Sequence, residues 1–352
     1  MTLWLPPYWL RRLVIGPVVL LAAVGLVVYV PLVLLAAALL SYRLPGSWRA
    51  VRLAGFGIVY LLMELVGLTV ALGLWVGSGF GWKLRSPSFV TAHYALLRWC
   101  LRVLYAAGRR LFVLRVETDG PRLGDDGNPT TPERPLIIMS RHAGPGDSFL
   151  LLHEVLSWAG RRPRIVLKDT LQLDPFIDVV LNRLPSRFVH TGGTGRDDVT
   201  AAIAELSATM GPLDAFLIFP EGGNFTEGRR ERAIASLREQ GRLELAERAE
   251  AMQHVLPPKP GGVLAAIAAN PRADVVLVAH SGLDELNSLR DVWTAIPQHK
   301  VLHLAWVVEP HDQVPVGRSA QVEWLYDAWS GVDEWIAVRR ETDASERPPT
   351  AG

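Results

Sequence analysis

Two long apolar runs dominate the first quarter of the chain. Leu13 to Tyr42 contains no charged residue, and Ala54 to Trp82 contains only one, Glu64. A helix of about 30 residues is roughly 45 Å long, which exceeds the ~30 Å thickness of a bilayer's hydrocarbon core. The pattern predicts two membrane helices, and residues 1–87 are assigned to an N-terminal membrane-embedded segment.

Basic residues flank both runs at every end, so the positive-inside rule does not select one orientation. A hairpin within a single leaflet and two complete spans both remain open. Either arrangement predicts an integral membrane protein, and we expect its C-terminal domain on the cytoplasmic side. The aromatic residues expected to anchor the segment at the membrane interface are Trp4, Tyr8, Trp9, Trp48 and Trp82.

The pattern changes after residue 87 to short apolar runs that alternate with helical periods. Runs such as Leu111 to Val116, Leu136 to Met139 and Ala215 to Phe219 predict strands. Their alternation with helices predicts an α/β domain at residues 88–340 with a largely parallel sheet flanked by helices. The helical pattern at Ser88 to Leu111 fits either an amphipathic helix beside the bilayer or a helix packed in the core. Residues 341–352 are polar and are expected to form a disordered tail.

Composition and charge narrow the function classes. Apolar residues make up 49% of the chain, which agrees with embedded segments. The formal net charge is +1, so no nucleic acid partner is expected. Cys100 is the single cysteine, which excludes an intrachain disulfide and a cysteine-rich zinc site. The histidines show no metal-ligand spacing, so neither a metal nor a cofactor is expected.

The most informative short motif is His142-Ala-Gly-Pro-Gly-Asp147. A helix would direct side chains five residues apart to different faces, but the glycines and the proline break regular structure, and a turn brings Asp147 back to the imidazole. The motif follows a predicted strand, and open α/β sheets bind ligands at the carboxyl ends of their strands. A histidine that a carboxylate orients through one ring nitrogen accepts a hydroxyl proton with the other. We therefore interpret His142 as a general base and Asp147 as its partner.

A second motif, Phe219-Pro-Glu-Gly-Gly-Asn-Phe-Thr226, also follows a predicted strand. Gly222 and Gly223 allow the backbone to approach a ligand closely. Glu221 is expected to bind a hydroxyl or a cationic group, and Arg229 and Arg230 are near enough in sequence to bind a phosphate.

The ordered motifs resemble the lysophosphatidic acid acyltransferase (1-acylglycerol-phosphate acyltransferase) superfamily. His142 and Asp147 match its His-x-x-x-x-Asp motif, and residues 219–222 match its Phe-Pro-Glu-Gly motif. Lys168 is similar to the lysine that begins the family's second motif. The segment Leu256-Pro-Pro-Lys-Pro-Gly-Gly262 looks like the Leu-Pro-Arg-Thr-x-Gly segment of the branch that contains lysocardiolipin acyltransferase.

The resemblance implies transfer of a fatty acyl group from acyl-CoA or acyl carrier protein to the hydroxyl of a lysophospholipid such as 1-acylglycerol 3-phosphate. The implied partners are therefore the donor thioester, the lysophospholipid acceptor and membrane lipids. The chain departs from the family at Gly223, where threonine is usual, and at Thr191, where the family has a phosphate-binding arginine. Arg187 is the expected substitute, with Arg196 as the second choice, and the implied acceptor-binding residues are Glu221, Gly222, Gly223, Lys168, Arg187 and Arg229.

Two other functions remain open. Gly146-Asp-Ser-Phe-Leu150 resembles the Gly-Asp-Ser-Leu block of lipid esterases, in which Ser148 would be the nucleophile. Such enzymes also need an Asp-x-x-His sequence downstream, and this chain has none. The second alternative is a non-catalytic, membrane-anchored lipid-binding protein on the same fold. His142→Ala separates transfer from binding, and Ser148→Ala separates transfer from hydrolysis.

Overall fold

The computed structural model describes residues 5–44, 46–123, 125, 133–144, 146–190, 196–282, 293–294, 296–297 and 299–346. These residues form two units that are interleaved along the chain. The first contains residues 1–115, 149–202 and 288–300, and the second contains 116–148, 203–287 and 301–352. The boundary proposed after residue 87 on sequence grounds stays a prediction.

The first unit begins with the two predicted apolar helices. Helix α1 is Tyr8–Arg43 and helix α2 is Arg49–Gly77, and both are long and apolar enough to cross a membrane. They differ in their surroundings. Helix α1 exposes large apolar side chains along its whole length, including Leu21, Val28, Leu32, Leu39 and Tyr42. Helix α2 instead buries Met63, Leu68 and Ala71 in a core shared with helix α3, Pro87–Phe112.

The aromatic residues expected at the membrane interface lie near the ends of these two helices. Tyr8, Trp9, Trp48 and Trp82 are all exposed, whereas Trp4 lies outside the described residues. Their exposure leaves the rings available to a lipid headgroup region, and their role as anchors stays a prediction.

Helix α3 packs one face into the core that it shares with α2, and its position relative to a bilayer stays a prediction. It buries Tyr94, Leu97, Cys100 and Leu101, in agreement with the second of the two sequence-based interpretations. The apolar side chains at helical spacing therefore face protein, because α2 and helix α5, Pro175–Leu181, cover them.

Arginines tie the N-terminal end of α1 to α5 within the first unit. Arg11 and Arg12 both donate hydrogen bonds to the carboxylate of Asp178, at 3.0 and 3.1 Å. Arg11 also donates to Gln172 Oε1 at 3.0 Å and is itself buried. Both basic residues that precede the first apolar run thus pair with one carboxylate on α5.

The rest of the first unit contains two parallel strands. Strand β3 is Arg162–Lys168 and strand β4 is Ser186–Val189, with Val166 aligned to Arg187 and Lys168 aligned to Val189. Helix α4, Asp147–Ser157, starts in the second unit and continues into the first.

The second unit contains a sheet of five strands in the order β1-β7-β6-β2-β5. Their bounds are β1 Leu114–Asp119, β2 Leu136–Ser140, β5 Asp214–Ile218, β6 Asp274–Ser281 and β7 Lys300–Glu309. Strand β2 is parallel to both β5 and β6, whereas β7 is antiparallel to β6. All residues of β2, β5 and β6 are buried, as expected for strands covered on both faces.

Five helices accompany these strands in the described part of the second unit. They are α6 Arg196–Ala208, which begins in the first unit, α7 Glu227–Glu239, α8 Leu243–Ala251, α9 Pro260–Ala269 and α10 Arg318–Glu346. The prediction of an α/β fold with a mostly parallel sheet flanked by helices is therefore confirmed.

Two predicted boundaries differ from the structure. The first strand was expected at Leu111 to Val116, but α3 continues to Phe112 and β1 begins at Leu114. The polar tail was expected from residue 341, yet α10 remains helical to Glu346. Residues 347–352 lie outside the described residues.

Candidate functional site

The predicted catalytic motifs follow two neighbouring strands of the second unit. Strands β2 and β5 are parallel, with Met139 aligned to Ile218. Because parallel strands end at the same edge of a sheet, the segments that follow them leave this edge side by side. Residues 141–147 and 219–223 are therefore neighbours, although about 80 positions separate them in the sequence.

His142 and Asp147 are in direct contact, as the motif predicts. His142 Nδ1 lies 2.8 Å from Asp147 Oδ2. A carboxylate oxygen accepts, so Nδ1 carries the hydrogen and Nε2 is left as the basic nitrogen. The His142 side chain is 24% exposed and that of Asp147 only 1%. The His142 imidazole can thus be reached from solvent, whereas the Asp147 carboxylate is buried.

The Asp147 carboxylate receives several hydrogen bonds. Besides the imidazole, Oδ2 accepts the backbone N–H groups of Ala143 at 2.7 Å and Gly144 at 3.1 Å. Oδ1 accepts the Ser148 hydroxyl at 3.1 Å. Burial alone would raise the pKa of Asp147, but the bond from His142, the nearby His280 and the backbone donors lower it below its ordinary 3.8. Asp147 is therefore held as an anion, which orients the imidazole and stabilises its protonated form.

The glycine-rich motif contacts both the backbone and the side chain of His142. Phe225 N donates to His142 O at 2.8 Å, and His142 N donates a long bond of 3.4 Å to Glu221 Oε1. The imidazole stacks on the Phe219 ring with centroids 4.6 Å apart. These contacts explain why the two motifs occur together, because the second fixes the position of the first.

Glu221 is almost completely buried, at 1% exposure. Burial raises the pKa of its carboxyl group from 4.5 to about 8, while the nearby Arg141 and the N–H groups of Leu256 and His142 lower it only in part. Its Oε2 atom has no hydrogen-bond partner among the described residues. The observed contact of Glu221 is thus with the backbone of His142, and its predicted contact with an acceptor stays a prediction.

Gly222 and Gly223 form a turn that is covered by two cationic side chains. Gly222 has a φ of +68°, and a Cβ there would lie 2.8 Å from Lys259 Nζ. A Cβ on Gly223 would lie 3.2 Å from Arg229 Nη1. The family that the chain resembles usually has threonine at position 223. Because glycine has no side chain, the Arg229 guanidinium has room to lie over the turn. Arg229 also donates to Asn224 O at 3.0 Å.

This turn forms the floor of a cavity of about 340 Å³, which we call the anion pocket. Its cationic side chains are Arg229, Arg232 and Lys259. Three positive charges around exposed backbone suit a phosphate group. Sequence reasoning identified Arg229 but missed Arg232 and Lys259. The Pro-Pro-Lys-Pro sequence was a signal for Lys259, because the segment that contains it resembles one in the family named above.

The other predicted acceptor residues lie in the first unit. Lys168 ends β3 and Arg187 lies on β4, and both are exposed. Arg187 aligns with Val166, which precedes Lys168 by two residues on β3. Because side chains two residues apart on a strand lie on the same face, Lys168 and Arg187 share one face of the strand pair. Thr191, the position at which the family has a phosphate-binding arginine, and the side chain of Arg196 lie outside the described residues.

Arg230, the neighbour of Arg229, is engaged within the protein. It donates to Met252 O at 2.6 Å and to Glu250 O at 2.8 Å, and it pairs with Glu227. It therefore joins the start of α7 to the end of α8.

A fully buried arginine was not anticipated from the sequence. Arg141 donates to His280 O at 3.1 Å and to His254 O at 3.0 Å, and its own carbonyl lies 3.2 Å from His280 Nε2. Arg141 directly precedes His142, so these bonds fix the backbone from which the His142 imidazole projects.

Comparison with known proteins locates a family domain in this region. Residues 124–281 match the family model described as Acyltransferase. The matched segment contains both strand-end motifs, so this part of the chain is similar to acyltransferase domains. No curated protein matches the chain significantly. The lysocardiolipin-like branch suggested by the sequence stays a prediction.

Proposed function

We propose that this domain transfers a fatty acyl group from acyl-CoA or acyl carrier protein to the hydroxyl of a lysophospholipid such as 1-acylglycerol 3-phosphate. His142 Nε2 removes the hydroxyl proton, and the oxygen attacks the thioester carbonyl. The C–S bond breaks as the new ester forms, and the departing thiolate takes the proton from the imidazolium. The products are a diacyl phospholipid and the free thiol of the donor.

The observation that carries this proposal is the bond of 2.8 Å between His142 Nδ1 and Asp147 Oδ2. It fixes the tautomer in which Nε2 is the base, and it places an anion where the imidazolium forms. A thioester is already activated, so the reaction needs no nucleophilic serine.

The anion pocket supports a phosphate-bearing acceptor. Arg229 and Lys259 lie against the glycines that follow Glu221, and the backbone of Glu221 is next to the catalytic loop. We assign the acceptor phosphate to this pocket, with Gly222 and Gly223 allowing its close approach. Lys168 and Arg187 are assigned to the acceptor by the family resemblance alone.

The apolar helices support action at a membrane. Helix α1 presents an apolar surface from end to end, and lysophospholipids partition into bilayers. We propose that α1 and α2 hold the domain at the bilayer where its acceptor resides, with the domain on the cytoplasmic side.

A hydrolytic function of Ser148 is less well supported. In a serine hydrolase the nucleophile donates to a histidine, whereas the Ser148 hydroxyl donates to Asp147 Oδ1 at 3.1 Å. Among the described contacts, Ser148 has no histidine partner.

The experiment is acyl transfer by the purified full-length protein in detergent micelles. One acyl-CoA is offered with a panel of lysophospholipids and with a monoacylglycerol that lacks phosphate, and the products are identified by lipid mass spectrometry. We expect phosphate-bearing acceptors to be used and His142→Ala to lower kcat by about 10²–10⁴-fold, because Ala removes the base.

The matched control is His190→Ala, which removes an exposed histidine that is also paired with an aspartate, Asp169, at 2.7 Å. Near-normal transfer by His142→Ala would contradict the mechanism. Lysolipid binding without any transfer by the wild type would favour the non-catalytic alternative, and release of fatty acid without an acceptor would favour hydrolysis.

A further inference from the structure

We propose that Asp333, on the C-terminal helix α10, is a positioning residue for acyl transfer. Its carboxylate fixes residues 252–259, which we call the linking segment because it joins α8 to α9. The linking segment in turn holds Arg141 beside the catalytic histidine and carries Lys259 to the anion pocket. This role rests on the proposed function. Asp333 itself lies outside residues 124–281, the part of the chain that matches the acyltransferase family.

Asp333 accepts two hydrogen bonds from consecutive backbone N–H groups of the linking segment. Asp333 Oδ2 accepts Gln253 N at 3.1 Å and Oδ1 accepts His254 N at 2.5 Å. Asp333 is only 8% exposed. Arg340, seven residues later on the same side of α10, lies 3.1 Å from His254 Nδ1. A carboxylate that accepts two consecutive backbone N–H groups fixes the orientation of that peptide as well as its position.

The linking segment also contacts the catalytic region. His254 O accepts the guanidinium of Arg141 at 3.0 Å. The backbone N–H group of Leu256 lowers the pKa of the buried Glu221 carboxyl, and Lys259 N donates to Pro220 O at 2.8 Å. Three points of one short segment therefore touch the two motifs that build the site.

The linking segment is too stiff to absorb a displacement at its first residues. Pro257 and Pro258 are consecutive and buried, and each proline ring fixes φ near −65°. Val255 and Leu256 are also buried. A shift at Gln253 and His254 is therefore passed on to Arg141 and to Lys259, whose Nζ lies over Gly222.

Helix α10 is anchored firmly enough to act as the fixed support. Leu325, Trp329 and Ile336 are completely buried, and Arg339 pairs with Asp119 of β1. Asp333 thus transmits the position of a rigid helix to the site without contacting a substrate.

The test compares three purified full-length variants with the wild type. In Asp333→Ala both backbone donors lose their acceptor, and in Asp333→Asn one acceptor oxygen remains. Asp327→Ala is the matched control, because it removes a 75% exposed carboxylate from the same helix, where it pairs only with Arg248 among the contacts described. Initial rates are measured against acceptor concentration at fixed acyl-CoA, and amide hydrogen exchange is followed in the linking segment.

We expect Asp333→Ala to lower kcat/KM for the acceptor by about 10- to 100-fold, because a displacement of about 1 Å of the groups that position a substrate can reduce the rate by that much. The KM for the acceptor should rise, because Lys259 moves away from the glycine turn. Exchange of the amides at residues 253–256 should accelerate. Asp333→Asn should lie between Asp333→Ala and the wild type, and Asp327→Ala should match the wild type in all three measurements.

A merely structural role would lower the fraction of folded enzyme and kcat together while leaving KM unchanged, and that outcome overturns the proposal. If Asp333→Ala does not fold, Asp333→Asn decides the question by the same KM criterion. An inactive wild type overturns the proposed function and this role together. An active wild type with an unchanged acceptor KM in the Asp333 variants overturns this role alone.

Discussion

Two buried carboxyl groups, Asp147 and Glu221, follow neighbouring strands and differ in their charge state. Both are about 1% exposed. The pKa of Asp147 is lowered below its ordinary 3.8, whereas the pKa of Glu221 is raised to about 8. The difference lies in their hydrogen bonds. Asp147 accepts bonds from an imidazole, two backbone N–H groups and a hydroxyl, whereas Glu221 Oε2 has no partner among the described residues.

Depth of burial therefore does not decide which carboxyl group is an anion. Desolvation disfavours the charge at both positions, and the number of donors determines whether it is compensated. The same edge of the sheet thus carries an ionised group that orients the His142 imidazole and a largely neutral group that holds the backbone of His142. Substitutions at Asp147, Glu221 and Ser148 test this division.

Asp147→Asn should reduce activity more than any other change at these positions. The amide keeps the size of the carboxyl group but removes the negative charge that stabilises the imidazolium, so we expect kcat for acyl transfer to fall by about 100-fold or more. Glu221→Gln is the control for loss of a buried carboxyl group, and it should reduce kcat much less. Equal losses of kcat in the two variants would show that the groups do not differ in role.

The same two variants should change the pH dependence of stability in opposite senses. Between pH 4.5 and about 8, Glu221 is ionised in the unfolded chain and neutral in the fold, so the wild type loses stability as pH rises. The loss is at most about 1.4 kcal/mol per pH unit, and Glu221→Gln should remove it. The lowered pKa of Asp147 gives stability that is present above pH 3.8 and is lost as pH falls through the folded-state value.

The measurement is urea unfolding of detergent-solubilised protein over a pH series. Asp147→Asn should make the wild-type loss of stability in acid less steep, and Glu221→Gln should flatten the curve between pH 4.5 and about 8. Parallel curves for the wild type and Glu221→Gln would show that Glu221 is ionised in the folded protein.

Ser148→Ala should have only a minor effect on activity. It removes one of the four hydrogen bonds to Asp147, and Ser148 is partly exposed, so water can take its place. We expect kcat to fall by no more than about tenfold, which corresponds to one bond of ~1.4 kcal/mol. Complete loss of activity with normal folding would instead identify Ser148 as a nucleophile.

The sequence predicted most of the fold because its strands are strongly apolar. Leu136 to Met139 and Ala215 to Phe219 were assigned to strands within one residue of their observed bounds. The start of β1 was wrong by three residues. Its outward positions carry Arg115 and Glu117, and the helical pattern before it runs without a break to Phe112.

The site was predictable only where its contacts are local. The glycines between His142 and Asp147 indicated a turn, and the observed contact agrees with it. The burial of Arg141 depends on carbonyl groups more than 100 residues away, so no local pattern indicated it. The burial of Glu221 could not be predicted from the sequence either, because a carboxyl group between Pro220 and a glycine pair suggests an exposed turn.

The antiparallel pairing of β7 with β6 has a practical consequence for anyone who expresses the matched segment alone. A clone that ends at residue 281 leaves the outer edge of β6 without its neighbour, and an open edge strand invites pairing between molecules. It also uncovers the surface that Trp329 and Tyr326 cover. Such a fragment is expected to aggregate into inclusion bodies, and soluble yield requires the chain through at least the end of α10.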